Sequence, residues 1–180
     1  MSDTHIILLR AVNVGGSVLP MAELRQLMTE LGAEDVRTYI QSGNAVCVPP
    51  GNPDDFDREL EKAIERKYGF FREAIGRTPA ELVAALAAYP FDAQEQSGEP
   101  KHAYIIFLVE PPTKEAVAKA RTFETGADEW EIIGRDMHVR HEHGAGAPDL
   151  KTVSIAKALD VPGTSRNLNT VRKLIALAGD

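Results

Sequence analysis

The order of elements along this chain predicts an α+β protein of two ferredoxin-like (split β-α-β) halves, the second incomplete and closed by C-terminal helices. Three observations carry that expectation. A β-α-β-β-α-β succession of apolar patterns occupies residues 5–75. The polar run Asp92–Lys101 then carries no apolar periodicity and reads as a linker or long loop. Beyond it a similar order begins again but lacks its last strand. The expected domains are therefore residues 1–90 and 91–180.

Residues 5–12 are apolar and β-branched enough for a buried strand, with Arg10 near its end. Asn13–Ser17 is a glycine turn, and Pro20 suits the first turn of a helix. Leu24, Leu27, Met28 and Leu31 recur at helical spacing until Gly32 stops them. Val36–Ile40 and Ala45–Val48 read as two strands turned by Gln41-Ser42-Gly43-Asn44. Asn52 is a natural N-cap, Pro53 fits position N1, and Asp54 and Asp55 suit the positive helix end. Phe56, Leu60, Ala63 and Ile64 make the apolar stripe of that helix, Gly69 ends it, and Phe70–Ile75 is expected as the fourth strand. Thr78-Pro79-Ala80-Glu81 is a capping box opening a third helix, with Leu82, Leu86 and Tyr89 facing inward.

In the second half Ala103–Val109 reads as a strand and Thr113–Arg121 as a helix. Trp130 and Ile132, then Met137 and Val139, alternate on two strands turned by Gly134-Arg135-Asp136. A helix over Leu150–Leu159 follows. The chain then closes with a helix over Asn169–Ala178 where a fourth strand would stand. The edge strand this leaves unpaired implies homodimerisation or coverage by the last helix.

Composition bounds the function classes. Hydrophobic residues make up 43% and charged residues 26% of 180, as in an ordinary globular protein. A net charge of −7, from 27 acids against 20 bases, counts against a surface-wide nucleic-acid binder. The first and third strands also carry Ile, Leu, Ala and Val where base-stacking sheets carry aromatics. The single Cys47 allows no internal disulfide and fits a reducing compartment. Ile6–Leu9 is too short for a signal or spanning segment, so the expectation is cytoplasmic and without a membrane partner. There is no P-loop, dinucleotide fingerprint or nucleophile elbow, and no cofactor is expected.

The split order makes a geometric prediction. Strands one and two run parallel and strands one and three are neighbours. Arg10, Asn13, Gly15 and Gly16 should therefore meet Gln41, Ser42, Gly43 and Asn44 at one sheet edge, beside a helix N-terminus. Arg166 and Asn167, just before the last helix, form a second polar group that could complete this one. Glycine amides and arginines hold anions, but none of these residues titrates as a general base. The reading is thus a non-catalytic module for a small anionic ligand or an acidic partner segment. The alternative is an enzyme acting on a phosphorylated or nucleotide-like small molecule, with Arg10, Asn13, Gln41, Asn44 and Arg166 orienting it. Plain turn and cap chemistry accounts for the same residue types and weighs against both. His138, His141 and His143 cluster near a strand end without a further ligand at metal spacing. Cys47, on an apolar strand, reads as a small core residue.

Three segments together, Arg10-Ala-Val-Asn-Val-Gly-Gly, Pro20-Met-Ala-Glu-Leu-Arg and Val36-Arg-Thr-Tyr-Ile-Gln-Ser-Gly-Asn44, resemble the N-terminal signature of a bacterial family, the domain of unknown function 1697 family. Thr164-Ser-Arg-Asn-Leu-Asn-Thr-Val-Arg-Lys-Leu174 resembles its C-terminal signature. The resemblance spans nearly the whole chain and is strongest at its ends. Two positions depart from it. Ala11 stands where the family usually has glycine, and Gly146–Thr152 lacks the Ser-Lys-Leu run usual before the penultimate helix. The family supplies no established activity, so the resemblance speaks to fold more than to function.

Overall fold

The computed structural model describes residues 4–91 and 102–179. The polar run Asp92–Lys101, expected as a linker, lies outside the described residues. The order is β1 (His5–Leu9), α1 (Met21–Glu30), β2 (Glu34–Tyr39), β3 (Asn44–Val48), α2 (Pro53–Tyr68), β4 (Ala74–Arg77) and α3 (Pro79–Ala87). It continues with β5 (Ala103–Leu108), α4 (Lys114–Ala120), β6 (Glu129–Ile133), β7 (Asp136–Arg140), α5 (Thr152–Leu159), β8 (Gly163–Asn167) and α6 (Leu168–Gly179). Two compact units result, residues 1–83 with 173–180, and residues 84–172. Each contains a four-stranded antiparallel sheet.

In the first unit the sheet order is β2-β3-β1-β4. All five residues of β1 are buried, which explains a continuous apolar run instead of an alternating one. Ile7 and Leu9, with Ala45 and Cys47 of β3, share one core with Leu24, Leu27 and Met28 of α1 and Phe56, Leu60, Ala63 and Ile64 of α2. The helix ends follow local chemistry. Asp55 N donates to Asn52 Oδ1 at 3.1 Å, and Gly69 closes α2 at φ +75°. Thr78 and Glu81 exchange the two bonds of a capping box, at 2.8 and 3.1 Å.

The fourth strand departs from expectation. It is Ala74–Arg77, not Phe70–Ile75. Phe70 packs on the core from the preceding connection, so its apolar character reports burial and not strand pairing.

The second unit repeats the topology in the order β6-β7-β5-β8. Trp130 pairs with Val139 and Ile132 with Met137 around a two-residue loop whose Gly134 has φ +62°. The second half is not incomplete. Gly163–Asn167 is its fourth strand, paired along β5 from Leu108↔Gly163 to Tyr104↔Asn167. The segment carries no large apolar side chain, only Thr164 and Arg166 being buried within it besides half-buried flanks. Pairing with β5, not its own pattern, makes it a strand. The open edge on which a homodimer expectation rests is therefore occupied by β8.

The repeat extends to single residues. Arg77 lies opposite Ile6 in one sheet and Arg166 opposite Ile105 in the other. Both arginines are buried, and each Nη1 donates to the carbonyl just before it, Gly76 O at 3.0 Å and Ser165 O at 2.8 Å. Among the described residues, no helix is long and apolar enough to cross a membrane.

Candidate functional site

The first unit gathers three loops at the end of β1. Leu9 N donates to Gly43 O at 2.8 Å, tying β1 to the β2–β3 turn, and Arg10 N donates to Glu73 O at 3.0 Å. Asn13 Nδ2 donates to Gln41 O at 2.6 Å, so the two polar turns touch. Gly43 fits there because it lacks a side chain. A Cβ would lie 2.6 Å from Val12 Cγ2 and 2.8 Å from Leu9 Cβ.

Several of the sequence-selected side chains are engaged in building these turns. Asn13, at φ +56°, also donates to Leu19 O and accepts from Leu19 N, at 2.9 and 2.8 Å. It is a clip across the glycine loop. Asn44 is fully buried and donates to Tyr39 O and Ser42 Oγ at 3.0 and 2.9 Å. Arg10 faces both Glu73 carboxylate oxygens at 3.3 Å in a surface pair. Gln41 is exposed and offers its side chain outward.

The glycine loop is different. Ser17 N donates to Val14 O and Val18 N to Gly16 O, both at 3.1 Å. The N–H groups of Val14, Gly15 and Gly16 meet no acceptor among the described residues. Gly15 and Gly16 sit at φ +57° and +88°, and the space over both is open, with nothing within 4 Å of a built Cβ. Successive amides in such turns form anion-binding concavities. Ser17, Val18, Leu19 and Pro20 separate them from α1, so they are loop amides and not those of a first helical turn.

Arg72, which sequence reading missed, stands beside this loop. Its Nε donates to Ala11 O at 2.9 Å, its Nη1 to Phe71 O, and its Nη2 to Ser17 Oγ. All three acceptors are neutral, and among the described residues Arg72 joins no ion pair. An arginine charge without a carboxylate among the described residues is thus pinned at Ala11 and Ser17, on either side of the three open amides. Only the path of the chain before β4 brings it there.

Arg166 and Asn167 belong to the second unit and play separate parts. Asn167 caps α6, accepting from Thr170 N at 2.8 Å. Arg166 is a buried strand residue whose Nη1 also reaches Thr164 Oγ1 at 2.7 Å. Burial brings its pKa down to about 10, which leaves it charged at neutral pH.

The three histidines diverge. His138 is fully buried, and among the described residues neither ring nitrogen has a hydrogen-bond partner; burial holds its pKa below the usual value. His141 Nδ1 bonds Asp128 at 2.8 Å, and His143 is exposed, 4.0 Å from Asp149. Among the described residues no three His, Cys, Asp or Glu side chains gather to hold a metal ion.

Cys47 has neighbours that sequence distance hid. His5 lies opposite it across β1 and β3, and His5 Nε2 bonds Asp57 Oδ1 at 2.9 Å. Cysteine, histidine and aspartate share a neighbourhood, yet it is closed: Cys47 is 1% exposed. Burial first, and then the Asp57 charge, push its thiol up to about 12. A protonated, enclosed thiol is no nucleophile at neutral pH.

In the second unit a cavity of about 550 Å³ is lined by Lys119 and Lys157 but also by Glu110 and Asp160. Its charges balance, giving no preference for an anion.

No curated protein matches the chain. The conserved bacterial protein SP0830 from Streptococcus pneumoniae has a similar structure, with a TM-score of 0.76, at 20% identity over 99% of each chain. That likeness concerns the fold alone. The profile of a family described as "Protein of unknown function (DUF1697)" matches residues 2–138. The glycine loop, the β2–β3 turn and Arg72 all fall within that span, and the chain belongs to this family.

Proposed function

We propose that the protein is a binding module, each unit of it ferredoxin-like, and that the turn-lined end of its first unit takes the anionic group of a small ligand or of a partner's acidic segment. One observation carries this reading: the open amides of Val14, Gly15 and Gly16 lie in a loop braced by Arg72, whose charge no carboxylate neutralises among the described residues. A fixed positive charge and unfilled donors together favour an anion, whereas either alone would be ordinary surface. The carboxylate at this end, Glu73, is engaged by Arg10, which favours binding over turnover. Arg10 and Gln41 border this centre, and Asn13, Ser42, Gly43 and Asn44 hold its shape. Arg166 and Asn167 serve the second unit's own strand and helix cap in this reading.

Titration of ¹⁵N-labelled protein with inorganic phosphate and with a pentaglutamate peptide tests it. Amide shifts should concentrate at residues 13–18 and 71–73. Shifts confined to the Lys119–Lys157 cavity, or none at millimolar ligand, would overturn the assignment.

A further inference from the structure

The same end of the first unit is apolar as well as cationic. Among the described residues, eight large apolar side chains are exposed, and four of them belong to these three loops: Val14 at 57%, Val18 at 63%, Ile40 at 50% and Phe71 at 46%. Scattered single exposures need no explanation, but a group around one charged centre does. Ile40 sharpens the point. It is β-branched and holds φ +50°, a conformation that disfavours such residues, while its side chain faces solvent. Strain of this kind, without burial to offset it, is a feature of binding sites.

We infer that the occupant is the C-terminus of a partner chain ending in an apolar residue. The inference rests on the anion-binding reading above and narrows it. An inorganic or sugar phosphate would satisfy the amides but leave the valines, Ile40 and Phe71 in water. The side-chain carboxylates of an acidic segment sit on short polar-flanked arms. A chain terminus puts an apolar side chain on the carbon next to the carboxylate and further residues beyond it. It can therefore place an anion on the amides of Val14–Gly16 while covering Val18 and Phe71. Capture of a terminal carboxylate by a backbone concavity is an established mode of peptide recognition. Apolar groups spread over three loops also exceed one side chain, which favours a peptide over a free amino acid.

The test compares two pools of hexapeptides, each random at its first four positions and ending in two valines, one with a free terminal carboxylate and one amidated. Fluorescence anisotropy should give the free-acid pool at least about a tenfold tighter binding. Val18→Ser and Phe71→Ser, neutral changes at exposed positions, should abolish that preference and leave phosphate-induced shifts at residues 13–17 in place. Equal binding of both pools, or phosphate shifts without peptide binding, would overturn the terminal-carboxylate inference while the anion site stands. Silence towards phosphate and both pools would overturn both readings.

Discussion

Ala11 holds φ +52°, a conformation that costs a residue with a Cβ on the order of 1 kcal/mol relative to glycine. The glycine that the family resemblance implies at this position would relieve that strain, and Arg72 donates to the carbonyl of this same residue. Ala11→Gly should raise stability by about 0.5–1 kcal/mol in urea denaturation without altering binding. Ile40 bears the same strain with a larger side chain. Ile40→Asn, a residue that tolerates this conformation, should stabilise the fold by about 1 kcal/mol and yet weaken peptide binding. A variant that gained stability and kept full affinity would show that Ile40 has no part in recognition. Gly43 differs from Gly15, though both have positive φ. At Gly43 a Cβ collides with Val12 and Leu9, whereas at Gly15 it meets open space. Gly43→Ala should therefore cost about 2–3 kcal/mol, several times the cost of Gly15→Ala, by thermal or chemical unfolding.

Two carboxylates couple single elements to pH with opposite signs. Asp128, just before β6, is buried and accepts from His141 Nδ1, Leu150 N and Glu142 N, clasping the segment between β7 and α5. Burial works to raise its pKa, but these bonds and the nearby His141 outweigh it and hold the carboxyl below its ordinary 3.8. The clasp is therefore at full strength above that value and is lost as pH falls through the lower folded one. Asp128→Asn should cost about 3 kcal/mol at neutral pH, and its deficit against the wild type should close in acid. Urea titrations at a series of pH values read both effects. Asp57 on α2 behaves in reverse. Burial, only partly countered by His5, raises its pKa above 3.8, so its native state holds the proton more tightly than the unfolded chain. Its contribution falls as pH rises from 3.8 through the raised value. Gly76 is the reason the pair can pack, since a Cβ there would lie 2.2 Å from Asp57 Oδ2.

At the scale of the whole molecule, a net charge of −7 repels the anionic partner that the Arg72 loop attracts. Repulsion acts over distance and is screened by salt, whose Debye length is about 10 Å at 0.1 M, while contact with the open amides is short-ranged. The association rate of an acidic peptide should therefore rise with added salt, the reverse of a basic binder, as stopped-flow fluorescence would show. Much of this architecture was legible in the chain itself. Apolar spacing, the Asn52 and Thr78 caps and the turn residues were sufficient for an α+β fold with a repeated order, because those signals act within a few residues. The split order also brought the Asn13 and Gly43 turns together, since strand direction and neighbourhood follow from connectivity. Other features depended on partners distant in sequence. Gly163–Asn167 became a strand only through the free edge of β5, and its polar residues carried no pattern of their own. Arg166 became a buried strand residue for the same reason. Cys47 met His5 and Asp57 across 42 and 10 residues of intervening numbering, visible only once β1, β3 and α2 had packed. Arg72 was hidden in a segment that reads as strand, and Glu73 occupies the more conspicuous Arg10. Local chemistry in the sequence determined the helices, the strands other than β8 and the bounds of β4, and the turns that meet. Tertiary packing alone decided which arginine met no carboxylate among the described residues beside the open amides, because that depends on which carboxylates the fold brings within reach.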